Sequence, residues 1–379
     1  IKTKDDAIIE FKVMPATQGL YARRMTTYDK FSFTPPDDLS VYNFEGRERV
    51  EVDAQAKPEE FWVDNRHVPV KKKEGAVDKL LARLREVPAF YYTEKVLGIL
   101  IAGYIETSEE SKFDFGPMNT TISANEVEGA RFRVGGVTTA QLNPHWFARG
   151  YVAYGTKDEK MKYSGEVEYS FNKKKFHSRE FPIHSIKLNH TYDIDQLGQQ
   201  YMYTNKDNVF LSLKRKSDNK ATYLRKTELS YLQERKGGFS FGLGIRNEIQ
   251  QMATDRIAFI DGFGKETKDY MQTYFDVKLR FAPNEKFYQT RSNRYPINLD
   301  APVLTLSHTF AFKDVLGSRY SYNRTEFGIQ KRFWFSAFGY FDGIVKAGKV
   351  WDKVPFPMLL LPNANLSYTI QPESYALMN

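Results

Sequence analysis

Beyond residue 111, polar and apolar residues alternate one by one along much of the chain. In 162–172, Tyr163, Gly165, Val167, Tyr169 and Phe171 are interleaved with Lys162, Ser164, Glu166, Glu168 and Ser170. In 271–281, Phe275, Val277, Leu279 and Phe281 are interleaved with Asp276, Lys278 and Arg280, and Phe132 and Val134 separate Arg131 from Arg133. Phe239, Phe241, Leu243 and Ile245 face away from Ser240, Gly242, Gly244 and Arg246. Period two is the pattern of a strand with one apolar and one polar face. Roughly a dozen such segments occur, most 9 to 13 residues long, several joined by polar turns such as 156–159 and 235–238. Soluble strands usually run about 5–6 residues, whereas membrane-spanning ones need about 9–11. Length and alternation together predict an antiparallel transmembrane β-barrel of about a dozen strands over 112–379. Aromatic residues near segment ends (Tyr151, Tyr154, Tyr192, Tyr201, Tyr203, Trp334, Phe335, Tyr340, Phe341) fit interfacial girdles. A soluble β-sandwich would alternate too, with shorter strands.

The earlier part reads differently. Short strand-like runs at 7–14, 41–44 and 50–52 lie among turn signals and predict a small α+β region over 1–75. Val77, Leu80, Leu81, Leu84 and Val87 share one helical face, so 76–88 reads as an amphipathic helix ended by Pro88. With the apolar stretch 90–104 it forms an interfacial segment, 76–111, ahead of the barrel. That stretch is too short to span a bilayer as a helix.

Composition sharpens this picture. Aromatic residues are 15% of the 379, which suits pleated surfaces. Mean hydropathy is −0.55, which does not separate a soluble protein from a membrane barrel, because barrel strands put only alternate residues against lipid. The chain has no Cys, which excludes disulfides, Cys-ligated metals and thiol chemistry. Residues 1–111 hold 17 basic and 20 acidic residues; the remainder holds 38 and 27. These basic residues fall on polar strand faces or in turns, which points to a charged interior or anionic head groups rather than nucleic acid. His184 and His190 lie about 20 Å apart on an extended backbone, too far to share a metal. The 262–267 run GFGKET lacks the spacing of a phosphate loop. No catalytic constellation, cofactor site or metal site is read from the sequence.

Several blocks carry a resemblance. They are Trp62–Val70 with Glu74, Phe113–Pro117, Val127–Gly136, Gly150–Asp158, Tyr192–Gly198, and Ala347–Trp351 with Val354–Pro357. In this order they resemble a Bacteroidetes family of outer-membrane proteins of unknown function. Its members join a carboxypeptidase-regulatory-like module to a barrel similar to the barrel-assembly and translocation (surface antigen) superfamily. The resemblance implies a bacterial outer-membrane location, a periplasmic N-terminal region, and about 16 strands in the full protein. It also implies that the chain is incomplete at its C-terminus. The 361–365 stretch lacks the Arg-Gly-Phe type motif of the assembly members. The expected function is non-enzymatic: outer-membrane biogenesis, or transport of polypeptide or solute. The alternatives are an accessory subunit of an envelope complex and a soluble carbohydrate-binding β-sandwich. Expected partners are outer-membrane lipid and other envelope proteins. Glu128, Arg131, Arg133, Glu166, Glu168, Asp276, Lys278 and Arg280 are candidate lumen-facing charges, with Glu128 a partner for the arginines. Phe132, Val134, Val167, Tyr169, Phe275, Val277 and Leu279 are candidate lipid-facing residues.

Overall fold

A computed structural model describes residues 2–9, 20–28, 33–34, 59–65, 83, 86–93, 103–108, 110–196, 212, 221–254, 258–260, 264–289, 294–296, 301–335 and 338–361. The chain divides into two compact units, Ile1–Tyr92 and Thr93–Asn379.

In the first unit β1 (Lys2–Ile9) pairs antiparallel with β2 (Leu20–Thr27), and a short helix of about two turns, α1 (Glu59–Asn65), follows. Asn65 closes α1 by donating Nδ2 to the Phe61 carbonyl at 2.8 Å. Of the expected helix at 76–88, Arg83 is helical and 86–87 form a turn; the rest lies outside the described residues. Pro88 opens a helical stretch at 88–93 rather than merely ending one, and Tyr91 N–H bonds the Val87 carbonyl at 3.0 Å. A proline suits a first helical position, where its missing N–H has no partner to lose. The expected strands at 41–44 and 50–52 lie outside the described residues.

The second unit is antiparallel sheet. Its strands are β3 (Ile105–Glu106), β4 (Phe113–Phe115), β5 (Ile122–Asn125), β6 (Gly129–Thr138), β7 (Trp146–Gly155), β8 (Met161–Ser170), β9 (His184–Gln196) and β10 (Ala221–Glu234). Then come β11 (Phe239–Met252), β12 (Phe259–Ile260), β13 (Glu266–Thr267), β14 (Asp269–Phe281), β15 (Phe287–Gln289), β16 (Arg294–Pro296), β17 (Val303–Phe312), β18 (Tyr322–Trp334) and β19 (Tyr340–Val350). Thirteen of them make one sheet in the order β19-β18-β17-β14-β11-β10-β9-β8-β7-β6-β4-β3, with β5 also on β6. Two hairpins, β12–β13 and β15–β16, stand apart from it. The ten long strands, β6–β11, β14 and β17–β19, run 10 to 14 residues. The all-β expectation holds for this unit. Among the described residues β3 and β19 do not pair with each other, so the sheet is open there.

The sheet curves. A cavity of about 760 Å³ on one face is lined from Arg149 on β7 across to Ser307 on β17. On that concave side Tyr270, Tyr274, Ala311 and Tyr322 pack with Phe259 from β12 and Met358 from the 3₁₀ turn Phe356–Met358. Tyr151, expected at an interfacial girdle, lies on the concave face instead. The pleat turns it away from its neighbours Val152 and Gly150, and its hydroxyl bonds the Asp193 carboxylate.

Turn chemistry keeps the register. The β10–β11 connection closes with Arg235 N–H on the Phe239 carbonyl (2.8 Å) and Gly238 at φ +83. A Cβ at Gly238 would also run into the Ala282 carbonyl oxygen. We expect Gly238→Ala to destabilise the fold by more than about 1 kcal/mol, from the left-handed backbone alone. Urea unfolding midpoints of the two proteins check it.

Candidate functional site

The two faces of the sheet differ in kind. On the concave face one register row runs Arg149, Glu166, Asn189, Glu228, Arg246. The row one residue over, on the convex face, runs Ala148, Val167, Leu188, Leu229, Ile245, Phe275, Phe310. Many of the convex residues are open: Val134 is 64% exposed, Ile245 53%, Leu188 52%.

The residues singled out from the sequence sort as follows. Phe132, Val134, Val167, Tyr169, Phe275, Val277 and Leu279 share the convex face. Arg131, Arg133, Glu166, Glu168, Asp276, Lys278 and Arg280 share the concave face. Glu128, from the β5–β6 turn, is fully buried there.

At one end of the concave face five charges are buried together. Arg131 donates Nη1 to Glu128 (2.7 Å) and both Nη atoms to Asp193 (2.8 and 3.2 Å). Lys162 lies 2.8 Å from Glu128 and donates to both Asp158 oxygens at 2.7 and 2.6 Å. Tyr223 donates its hydroxyl to Asp158 at 2.8 Å, and Asn125 donates Nδ2 to Glu128 at 2.6 Å. The Arg131 and Lys162 side chains have no exposure and Asp193 has 2%. Gly155 makes the cluster fit, because a Cβ there would stand 2.8 Å from Glu128 Cβ and 2.9 Å from Lys162 Nζ. Two cations against three carboxylates, each multiply bonded, is the arrangement in which burial of charge is tolerated. The sequence marked Glu128 and Arg131. It did not mark Lys162, Asp158, Asp193 or Tyr223 as members of a site, although Asp158 and Asp193 fall within the Gly150–Asp158 and Tyr192–Gly198 blocks and Lys162 at a polar position of an alternating strand.

Farther along, Asp276 accepts from Arg246 Nε (2.7 Å) and Thr309 Oγ1 (2.6 Å). Asp276 is therefore tied in on both oxygens. The chamber continues past it, floored by small residues and walled by charges from six strands and the β8–β9 connection.

Three histidines lie on the convex face, and each shares a hydrogen bond with a hydroxyl on the next strand. His184 pairs with Tyr231 (3.0 Å), His190 with Thr227 (2.7 Å) and His308 with Thr325 (2.9 Å). Among the described residues no three His, Asp or Glu are grouped to hold a metal ion. No described helix is long and apolar enough to cross a membrane, which leaves strand-spanning open.

What the geometry defines is a large antiparallel-sheet protein with one apolar face and one ionic face around a chamber. Residues 97–354 match the C-terminal domain of a family of unknown function (DUF5686), and the chain belongs to that family. No curated protein matches it.

Removing one partner from the buried cluster strands the others. Arg131→Met leaves Glu128 and Asp193 without their shared cation and should cost about 3–5 kcal/mol. Tyr151→Phe deletes one hydrogen bond to a charged group and should cost about 1.5–3 kcal/mol. Paired denaturant titrations give both values; equal effects would contradict the role assigned to Arg131.

Proposed function

We propose that the second unit is an integral outer-membrane β-barrel, non-enzymatic, whose charged interior serves passage of polypeptide or solute, or outer-membrane biogenesis. The observation that carries the reading is the apolar band on the convex face. It includes Trp146–Tyr154 on β7, Phe239–Ile245 on β11, Phe275–Phe281 on β14 and Phe341–Ala347 on β19, taken at alternate residues.

The band climbs through the register. Trp146 and Lys349 end one unbroken row of eight pairings from β7 to β19. The band's centre lies four residues inside Trp146 on β7, at Gly150. On β19 it lies between Gly343 and Val345, five residues back on the other side of Lys349. A shift of roughly 9 residues over 8 strand spacings is roughly 30 Å against 38 Å, a tilt of roughly 40°. Membrane barrels tilt their strands about 35–45°. At that tilt a nine-residue run such as 146–154 is roughly 23 Å tall, close to the apolar height of about 25 Å in outer-membrane barrels. The paired histidines support the same reading, because a polar group facing hydrocarbon needs an internal partner. On this reading further strands, of this polypeptide or another, join the β3 and β19 edges, since an open edge is not viable in lipid.

Unheated protein from a membrane fraction is expected to migrate faster than boiled protein on a cold detergent gel and to resist carbonate extraction. A single unshifted band from the soluble fraction would sink the proposal. Val277→Arg should cost about 2–4 kcal/mol on the lipid face, whereas Lys278→Arg one residue along should stay within about 0.5 kcal/mol. Folding titrations into lipid vesicles read both, and equal losses would argue against a membrane-facing Val277.

A further inference from the structure

The chamber's charges are not all matched. Six basic and five acidic side chains line it. Arg280 is held by both Glu285 oxygens (2.7 and 2.8 Å) and Arg294 by both Glu234 oxygens (2.8 and 2.9 Å). Asp276 belongs to Arg246 and Glu228 to Lys226 (3.0 Å), both of which lie outside the lining. With those pairs set aside, Arg149, Arg179, Lys187 and Lys278 face only Glu166 and Glu168. Glu166 is shared at long range, 3.3 Å from Arg149 and 3.5 Å from Lys187.

Two of these cations stand out. Arg149 spends Nη1 on Glu166, and its Nε is buried with no hydrogen-bond partner. Arg179 comes from the β8–β9 connection and lines the chamber. That connection is firmly built. Glu180 accepts from the Lys175 and His177 N–H groups (2.9 and 3.0 Å) and from Phe176 N–H. Lys174 donates Nζ to the carbonyls of Glu180 and Pro182 (2.5 and 2.9 Å). The loop therefore holds Arg179 where the positive charge of Arg149, aided by burial, lowers its pKa. Like charges held together at a site that costs them stability are compensated when an anion lies between them. The floor beside them is small and polar, with Ser185, Ser230, Ser240, Gly242, Gly244 and Ser307, leaving room and hydroxyl donors for a solute.

We infer that the Arg149–Arg179 side of the chamber binds a small oxyanion-bearing solute of the phosphate class. Guanidinium groups suit the oxygens of a phosphate, and Lys187 and Lys278 add charge from neighbouring strands. The inference deepens the reading of the concave face as a barrel interior and rests on it for any passage of that solute.

The test titrates detergent-purified protein with inorganic phosphate by calorimetry at low ionic strength, alongside the heat-shift gel on the same samples. Wild type is expected to bind saturably. Arg179→Gln, a change in a loop, is expected to keep the heat shift and bind at least tenfold more weakly, with Arg179→Lys in between. Arg225→Gln, on the convex face, is expected to bind as wild type does. Heat-shifted wild type that shows no saturable binding overturns the inference and leaves the barrel standing. Unchanged affinity in Arg179→Gln, or an equal loss in Arg225→Gln, overturns it as well. Phosphate binding that depends on Arg179 in protein without a heat shift upholds the site and sinks the barrel.

Discussion

An antiparallel ladder turns each residue away from its neighbour, and unslipped pairing carries that sorting from one strand to the next. Here the ladder runs through the ten long strands, placing Val167 beside Leu188, Leu229, Ile245 and Phe275, and Glu166 beside Asn189, Glu228 and Arg246. A slip of one residue at any pairing would move every side chain beyond it to the wrong face. Apolar residues would crowd the charged chamber and lone ions would stand among Phe and Leu. Register is thus the constraint on which both faces depend, and the turns that set it, such as the one at Gly238, matter more than any single side-chain contact.

The concave face shows what that sorting costs. Gathering charges inside a curved sheet removes them from water, and each must be met by a partner. Some of the partners come from outside the regular strands. Asp158 and Glu128 enter from turns to meet Lys162 and Arg131, and Glu285, from the connection after β14, meets Arg280. Gln272, fully buried, is satisfied by the carbonyls of Phe312 and Tyr320 and accepts from Tyr320 N–H, closing a rim rather than lining a face. Connections between strands are part of the interior chemistry, and the β8–β9 connection with Arg179 is the clearest case.

Much of this was legible in advance. The alternation in 162–172 and 271–281 marks β8 and β14 nearly to the residue, and the turns at 156–159 and 235–238 fall where the chain reverses. The Glu128–Arg131 block of the family resemblance lies within the matched family region and forms an ion pair at 2.7 Å. One reading failed. Tyr151 looked like a girdle residue, because residue type and position near a strand end do not say which distant group a side chain will meet. Tyr151 meets Asp193, 42 residues away, and Asp276 meets Arg246 and Thr309.

The sequence by itself determined the long alternating strands, where several of them turn, and which face most of the singled-out side chains take, since period two is a property of the local backbone. Tertiary structure decided which charges share a site. Arg131 reaches Asp193 across 62 residues, and Arg179 reaches the chamber lined by Arg149, only because the sheet curves and its connections fold over the concave side. Curvature accumulates over many pairings and leaves no mark on any one segment, so the composition of the interior appears only once the strands are assembled.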